Sequence, residues 1–324
     1  MPDLTKHAVI TGFLSATKDR FHEYNRLIAL EERLRLAASM EGVSGVEMVY
    51  PYEVGQEAEA ARDLVARHSL SIAAINVNVK AEPEFRDGGL TSPDAKIRAK
   101  AIEFIHRAKD FALTAGADKV TCCPLSDGYE FNFQADYAKA WNRIVDSLRE
   151  AASYKTEIPL FIEYKPSETR ARCYIDTAAK ALLLLHEIGV KDMGVTLDFG
   201  HSMYGNENPA EAVSMLAASP FRYYIHINDN NARWDWDFMA GTHHFLDYVE
   251  FLFVLMKNGY SDFFTSDTWP TRWDIRKTFE MNARLTNKIW RRLQAIGIEA
   301  LQARIDAGDY LATWEWIETN LLSL

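Results

Sequence analysis

The chain has 324 residues, of which 48% are hydrophobic and 25% are charged, a composition typical of a folded globular protein rather than a disordered one. Its formal net charge of −10 argues against general binding to nucleic acids or anionic membranes, since both interactions rely on lysine and arginine neutralising phosphates. The length allows one large α/β barrel or two ordinary domains.

Cysteine usage and the N-terminal segment predict a cytoplasmic location. The three cysteines, Cys122, Cys123 and Cys173, show no CxxC spacing, which indicates a reducing compartment rather than a disulfide framework. The N-terminal apolar run is too short for a signal peptide, and no segment reaches the roughly 18 apolar residues of a membrane span.

Short apolar runs alternate with longer amphipathic ones along the chain. Eight apolar runs predict strands over residues 7–13, 45–50, 71–79, 118–123, 158–164, 193–199, 222–227 and 262–267. Helical patterns lie between them, over residues 18–40, 55–68, 93–115, 134–153, 176–188, 209–218 and 244–258. Strands alternating with helices form parallel βαβ units, and eight strands favour a closed α/β (β/α)8 TIM barrel over an open sheet.

The C-terminal part of the chain has a different pattern. Residues 272–324 are predicted to be helical, with no strand. We therefore predict a catalytic barrel domain over residues 1–271 and a C-terminal helical extension over 272–324. The extension is expected to pack on the barrel or on a second subunit, which favours a homodimer or homotetramer.

Polar side chains stand where the last four predicted strands end. In chain order they are Glu163 with Lys165, Asp198 with His201, His226 with Asp235 and Asp237 in the following loop, and Asp267. In a TIM barrel these strand ends form the active site. One such carboxylate is more often a helix cap, and a lone histidine more often a hydrogen-bonded core residue. Four consecutive strands ending in this way would bury unpaired charges unless cations balanced them.

The number of ligands predicts two divalent cations. Glu163, Asp198, His226 and Asp267 can surround one ion, and His201, Asp235 and Asp237, with Glu163 bridging, can hold a second. Oxygen and imidazole ligands without thiolates favour Mn2+, Mg2+ or Co2+. Lys165 would donate to a substrate oxygen on which negative charge develops, although it could instead be only an ion-pair partner for Glu163.

Several motifs in this order resemble the xylose isomerase family and its rhamnose isomerase relatives. The resemblance runs from about residue 71 to 270 and rests on “FRDGGLTSPDAKIRAKAIEF”, “DGYEF”, “EYKP”, “LDFGH” and “HINDNNARWDWD”. It implies a TIM barrel, two divalent cations and aldose–ketose interconversion. It also implies that Lys165 polarises the substrate carbonyl. Position by position, the first ligand set above matches the family's structural-metal ligands, and His201, Asp235 and Asp237 match its catalytic-metal ligands.

Departures from the family concern the substrate. Xylose isomerases carry a ring-opening histidine after the second strand, where this chain reads “VYPYE”, so the ring is opened otherwise or the substrate arrives open. Asn76, Asn78 and Lys80 share one face after the third strand, which predicts a more polar pocket. The predicted substrate contacts are Asn78, Lys80, His201 and Trp269. No basic or glycine-rich loop indicates a phosphate site, which favours an unphosphorylated sugar.

The leading functional prediction is a metal-dependent sugar isomerase that moves hydrogen between C1 and C2 as hydride, with Lys165, Glu163 and Asp267 as catalytic residues. Proton transfer through an enediolate, with Glu163 and Asp267 as bases, is the competing version. The alternative is a ketose 3-epimerase with one metal and two facing carboxylates, which would not need Asp235 and Asp237. The acidic balance disfavours an endonuclease, and a non-catalytic sugar-binding protein remains a further alternative.

Overall fold

Eight parallel strands close into a barrel, which confirms the predicted fold. The computed structural model describes residues 5–55, 57–168 and 170–323. The barrel strands are β1 (Lys6–Ile10), β2 (Val43–Tyr50), β3 (Ser71–Val77), β4 (Val120–Cys122), β5 (Leu160–Glu163), β6 (Gly194–Asp198), β7 (Arg222–Ile227) and β8 (Phe263–Ser266). Each strand pairs with its neighbours in chain order, and β8 pairs with β1.

Helices surround this barrel. They are α1 (Leu30–Ala38), α2 (Ala58–Arg67), α3 (Ala95–Ala115), α4 (Tyr137–Ser153), α5 (Ala178–Ile188), α6 (Phe199–Tyr204), α7 (Pro209–Ala218), α8 (Phe245–Lys257), α9 (Ile275–Ile296), α10 (Ile298–Asp306) and α11 (Tyr310–Ile317). None of the helices within the described ranges is long and apolar enough to cross a membrane.

Burial on both faces explains why the strands read as continuous apolar runs. All five residues of β6 are buried, as expected for a parallel sheet covered by helices. Side-chain caps set several helix starts: the carboxylate of Asp94 accepts from the backbone N–H of Lys96 at the start of α3, and Asn208 caps α7 in the same way. Gly116 ends α3 with φ +81°, a conformation that favours glycine.

The predicted helix over residues 18–40 is wrong in its first half. Residues Thr17–Lys18 and Glu23–Tyr24 instead form a small antiparallel pair, and α1 begins only at Leu30. The carboxylate of Asp19 accepts from the backbone N–H groups of Phe21 and His22, each at 2.7 Å. This local turn satisfies amides that a helix would otherwise have used.

Helix α9 packs against the barrel. Its residues Phe279, Ala283 and Trp290 are buried, and the ring of Trp290 lies 5.8 Å from that of Phe264 on β8. Within the described residues, α10 buries only Leu301 and α11 buries none. The division of the chain at residue 272 remains a prediction.

Side chains fill the N-terminal end of the barrel. Ala74, Phe161 and Tyr224 form a small buried cluster there. The ammonium of the buried Lys119 lies 4.8 Å from the ring centroid of Tyr224 and forms a salt bridge with Asp262. The barrel can therefore receive a ligand only at its opposite, C-terminal end, where the strand-end polar residues lie.

Candidate active site

A cleft of about 260 Å³ lies at the C-terminal end of the barrel. Nine of the predicted site residues line it: Asn78, Lys80, Glu163, Lys165, His201, Asp235, Asp237, Asp267 and Trp269. The two others, Asp198 and His226, are fully buried and belong to the same side-chain clusters. The structure thus gathers in one place residues that are far apart in sequence.

The first cluster contains one side chain from the end of each of β5 to β8. Ligand atoms of Glu163, Asp198, His226 and Asp267 all lie within 4.8 Å of one another. The Nδ1 atom of His226 lies 3.5 Å from Oε1 of Glu163 and 3.4 Å from Oδ2 of Asp267. This buried nitrogen forms no hydrogen bond with any described residue, so no protein group occupies the position that a cation would take beside it.

The second cluster contains Asp198, His201 and Asp235, whose ligand atoms also lie within 4.8 Å of one another. Asp198 therefore belongs to both clusters, whereas Glu163 was predicted to bridge the two cations. Asp198 ends β6 and caps α6, its Oδ1 accepting from the backbone N–H of His201 at 2.9 Å. This capping bond fixes the orientation of the Asp198 carboxylate. Glu163 also lies beside both histidines, its Oε1 being 3.4 Å from Nδ1 of His201 and 3.5 Å from Nδ1 of His226, so its bridging role stays a prediction.

Asp237 stands slightly apart from the second cluster. Its Oδ1 accepts from Nδ2 of Asn228 at 3.3 Å, and its backbone has φ +48°. Asp237 is thus close to the predicted ligands, but it is not a member of either cluster within the described residues.

A braced loop holds Asp235 and Asp237 over the barrel. Asp229 and Phe238 exchange two backbone hydrogen bonds, at 3.0 and 2.7 Å, which close the base of the loop. The carboxylate of Asp229 also accepts from the backbone N–H groups of His243 and His244. Trp269, after β8, donates its backbone N–H to the carbonyl of Asp237 at 2.9 Å. These bonds hold the irregular loop in one conformation, and with it the carboxylates of Asp235 and Asp237.

Lys165 enters the cleft between two carboxylates. Its ammonium lies 2.7 Å from Glu168 and 2.8 Å from Asp235. The alternative interpretation of Lys165 as the ion-pair partner of Glu163 therefore does not describe the contacts formed. Burial disfavours the charged lysine, yet Asp235 and Glu168 hold its pKa well above the usual value.

The clustered carboxylates and imidazoles shift each other's protonation. Burial, reinforced by neighbouring carboxylates and partly offset by His201, raises the pKa of Asp198 to about 7. Burial would lower the pKa of His201, but Asp198 and Asp235 raise it to about 9. Burial and the charges of Asp235 and Asp267 raise the pKa of Asp237 well above its usual range. Burial disfavours the charged forms of Glu163 and Asp235, yet His226 holds the pKa of Glu163 below its usual range and Lys165 does the same for Asp235. Asp198 and Asp237 would ionise alongside them only if further positive charge were added.

The donor set fits divalent cations. The Nδ1 of His226 and the Oδ1 of Asp235 are buried and without hydrogen-bond partners among the described residues. His201 donates from Nδ1 to the carbonyl of Tyr164 at 2.9 Å, which leaves Nε2 facing Asp235 at 3.2 Å. An imidazole that donates through one nitrogen and directs the other at a carboxylate able to share a cation is the usual arrangement of a metal ligand.

The predicted substrate contacts form the cleft walls. Asn78 accepts with its Oδ1 from the backbone N–H groups of Lys80 and Ala81, which fixes the turn after β3. The ammonium of Lys80 forms no salt bridge with another described residue. On the other wall, the Trp269 ring lies 6.5 Å from that of Phe13, and its indole N–H donates to Thr17.

Two residues that support the site were missed in the sequence analysis. Asn228 donates from Nδ2 to Oδ2 of Asp198 at 2.9 Å and accepts with Oδ1 from the N–H of Gly200 at 2.8 Å. Glu47, in the middle of β2, is fully buried and lies 3.0 Å from Nε2 of His226. A charged residue inside the apolar run “GVEMVY” was the available indication of Glu47.

A closed parallel barrel with carboxylate and imidazole clusters at its C-terminal end defines an enzyme of the TIM-barrel class. The xylose isomerase-like TIM barrel family matches residues 34–289, and the chain belongs to this family.

Sequence relatives include two xylose isomerases. That of Thermus thermophilus is 24% identical over 216 residues, which cover 65% of this chain and 56% of the relative. That of Thermus caldophilus is 25% identical over 197 residues, which cover 59% of this chain and 51% of the relative. The chain thus matches about half the length of these relatives.

Similar solved structures include several epimerases. An L-ribulose 3-epimerase superposes with a TM-score of 0.70 at 19% identity, covering 90% of this chain and 98% of that one. A D-allulose 3-epimerase from Methylomonas sp., in complex with D-allulose, gives a TM-score of 0.65 at 17% identity, covering 89% and 97%. At such identities the similarity establishes the fold.

Proposed function

We propose that this protein is a divalent-metal-dependent isomerase that interconverts an open-chain aldose and its ketose. The observation that carries the proposal is the pair of ligand clusters sharing Asp198, directly beside the ammonium of Lys165. The xylose isomerases among its sequence relatives support the same reaction class. The unpaired buried atoms of His226 and Asp235 support metal binding in both clusters.

The proposed roles follow from the position of each side chain. Glu163, Asp198, His226 and Asp267 would hold one cation, and His201, Asp235 and Asp237, with Asp198 shared, would hold another. Mn2+, Mg2+ and Co2+ suit these ligands. When bound, the cations supply Lewis-acid polarisation of the substrate carbonyl and fix adjacent sugar oxygens.

Lys165 and the cleft walls act directly on the substrate. Lys165 donates a hydrogen bond to the carbonyl oxygen on which negative charge develops. Its contacts with Glu168 and Asp235 keep it protonated and aimed into the cleft. Asn78 and Lys80 bind hydroxyl oxygens of the extended chain, and Trp269 covers its apolar face.

A second candidate is a ketose 3-epimerase. It is favoured by the first cluster, in which Glu163 and Asp267 lie 3.5 and 3.4 Å from the same nitrogen of His226. Two carboxylates around one cation could remove and return a proton at C3. This reaction needs only one of the two clusters.

Isotope incorporation separates the two reactions. The metal-loaded protein is incubated with a panel of aldoses and ketoses in deuterated water, and products are analysed by NMR. A ketose formed from an aldose without solvent deuterium supports hydride transfer, whereas deuterium at C1 of that ketose supports the enediolate route. Deuterium at C3 of a recovered ketose would instead support the 3-epimerase reaction and contradict the isomerase proposal.

A double substitution tests the second cation. Asp235→Asn with Asp237→Asn is expected to abolish isomerisation and leave one tightly held Mn2+ per chain, because the first cluster is untouched. Arg233→Gln, an exposed position in the same loop, is the matched control and should keep both cations. Full isomerase activity in the double variant would contradict the two-cation assignment.

A further inference from the structure

The carboxylate of Glu47 lies in the barrel interior, where it contacts a predicted cation ligand from another strand. Glu47 on β2 is 0% exposed, and its Oε2 lies 3.0 Å from Nε2 of His226 on β7. Its Oε1 accepts from Nδ2 of Asn76 at 3.0 Å and from the hydroxyl of Thr121 at 2.8 Å. Each of these partners belongs to a different strand.

All three partners can donate to Glu47 at the same time. The amide of Asn76 and the hydroxyl of Thr121 occupy one carboxylate oxygen, and the other faces the imidazole alone. An ionised carboxylate only accepts hydrogen bonds, so the proton of this contact belongs to Nε2 of His226. Burying a carboxylate is costly unless donors satisfy it, and here three donors from three other strands do so.

The opposite nitrogen of the same ring faces the first cluster. Nδ1 of His226 lies 3.5 Å from Glu163 and 3.4 Å from Asp267, and it makes no hydrogen bond with any described residue. A neutral imidazole carries one proton, and a proton on Nε2 leaves the lone pair on Nδ1. If the proton moved to Nδ1, it would point into the cation position and block it.

We infer that Glu47 is a positioning residue that makes His226 a metal ligand, an inference that rests on the metal dependence of the proposed function. Glu47 holds the ring in one orientation and in the Nε2-protonated form, and it increases the electron density available at Nδ1. Asn76 extends this network to the cleft wall, since its side chain also lines the cleft.

The proton position can be measured in the unmodified protein. Nitrogen-15 NMR of histidine-labelled protein saturated with diamagnetic Mg2+ should show His226 protonated at Nε2 and unprotonated at Nδ1. A proton on Nδ1 in this state would overturn the inference. This measurement needs neither a variant nor a sugar.

Metal titration tests the consequence. Glu47→Gln keeps the size of the side chain but places an NH2 group among the donors of Asn76, Thr121 and His226, so Nε2 of His226 loses its carboxylate acceptor. Mn2+ affinity is therefore expected to fall about 10- to 100-fold. Thr121→Val is the matched control, because it removes one hydrogen bond to Glu47 at the same depth without touching His226; its affinity should stay within about threefold of wild type. Equal affinity in wild type and Glu47→Gln would overturn the inference.

The outcomes separate this inference from the proposed function. A protein whose Mn2+ affinity depends on Glu47, but which converts no sugar, would refute the isomerase and epimerase proposals and leave the role of Glu47 standing. A wild-type protein that binds no Mn2+ refutes both. A Glu47→Gln variant that does not fold leaves the nitrogen-15 measurement on the wild type as the deciding result.

Discussion

Gly200 lies where a single methyl group would disturb the shared carboxylate of the site. It is the second residue of α6 and follows Asp198 by two positions. Its N–H donates to Oδ1 of Asn228 at 2.8 Å, and Nδ2 of Asn228 donates to Asp198 at 2.9 Å. A Cβ at position 200 would lie 3.1 Å from Cγ of Asn228, still closer to its Oδ1, and 2.8 Å from Nδ2 of Asn230.

The Gly200→Ala variant should therefore lose both stability and metal affinity. Within a helix, alanine is favoured over glycine by about 1 kcal/mol. Overpacking costs about 1–3 kcal/mol, and losing a hydrogen bond to the Asp198 carboxylate costs about 1.5–3 kcal/mol. We expect a net decrease of about 1.5–5 kcal/mol in the free energy of unfolding, by these same terms. Misplacing Asp198 should lower Mn2+ affinity by about 10- to 100-fold.

Urea unfolding and Mn2+ titration of the same preparations measure the two effects separately. Gly116→Ala is the control, because position 116 has φ +81° and no atom within 4 Å of an added Cβ. It should lose about 1–2 kcal/mol through backbone strain and keep wild-type Mn2+ affinity. In an Asn228→Ala background, the methyl group added at position 200 no longer meets the side-chain amide of Asn228. The stability losses of the two substitutions should therefore not add. A Gly200→Ala protein that is more stable than wild type and binds Mn2+ normally would refute this reasoning.

Three further predictions concern the lysine, the cations and a buried histidine. Lys165→Met should lower kcat by about 10²–10³-fold and leave Mn2+ binding in place, because it removes a donor to the developing charge and no ligand; an unchanged kcat would contradict its role. Mn2+ at 100 times its Kd should stabilise the fold by about 2.7 kcal/mol, seen as a rise in Tm that EDTA reverses, and the absence of any shift would argue against a built site. Burial lowers the pKa of His7 from 6.5 to about 3, so between these values the unfolded chain binds a proton that the folded chain excludes. The free energy of unfolding, measured by urea titration, should therefore fall by about 2 kcal/mol from pH 7 to pH 5 in the wild type and by less in His7→Phe. The same dependence on pH in both proteins would show that His7 is not the group responsible.

The strand order and the strand ends could be predicted because both follow from local patterns. Parallel strands buried on two faces read as apolar runs, and their polar ends mark the mouth of a barrel. The first helix was misplaced for an equally local reason. Asp19 forms side-chain bonds to two following amides, and this competing turn has no apolar periodicity to reveal it.

The shared carboxylate could not be predicted from spacing. Alternation along a strand assigns a side chain to a face, but it does not give its depth in the barrel. Glu163 and Asp198 both end strands and both face the mouth. The Asp198 carboxylate is held by hydrogen bonds that the N–H of His201 and the amide of Asn228 donate to it, and its strand position does not reveal these bonds.

The two histidines of the site use opposite nitrogens, a difference that comes from their hydrogen-bond acceptors. His201 is held through Nδ1 by the carbonyl of Tyr164, and His226 is held through Nε2 by Glu47. Each ring therefore presents its other nitrogen to the carboxylates that would share a cation with it. Both acceptors are remote in sequence from the ring they hold, so no motif around either histidine encodes the choice. Because the acceptors are already in contact with the rings in this structure, the chain can offer two oriented imidazoles without rearranging its barrel.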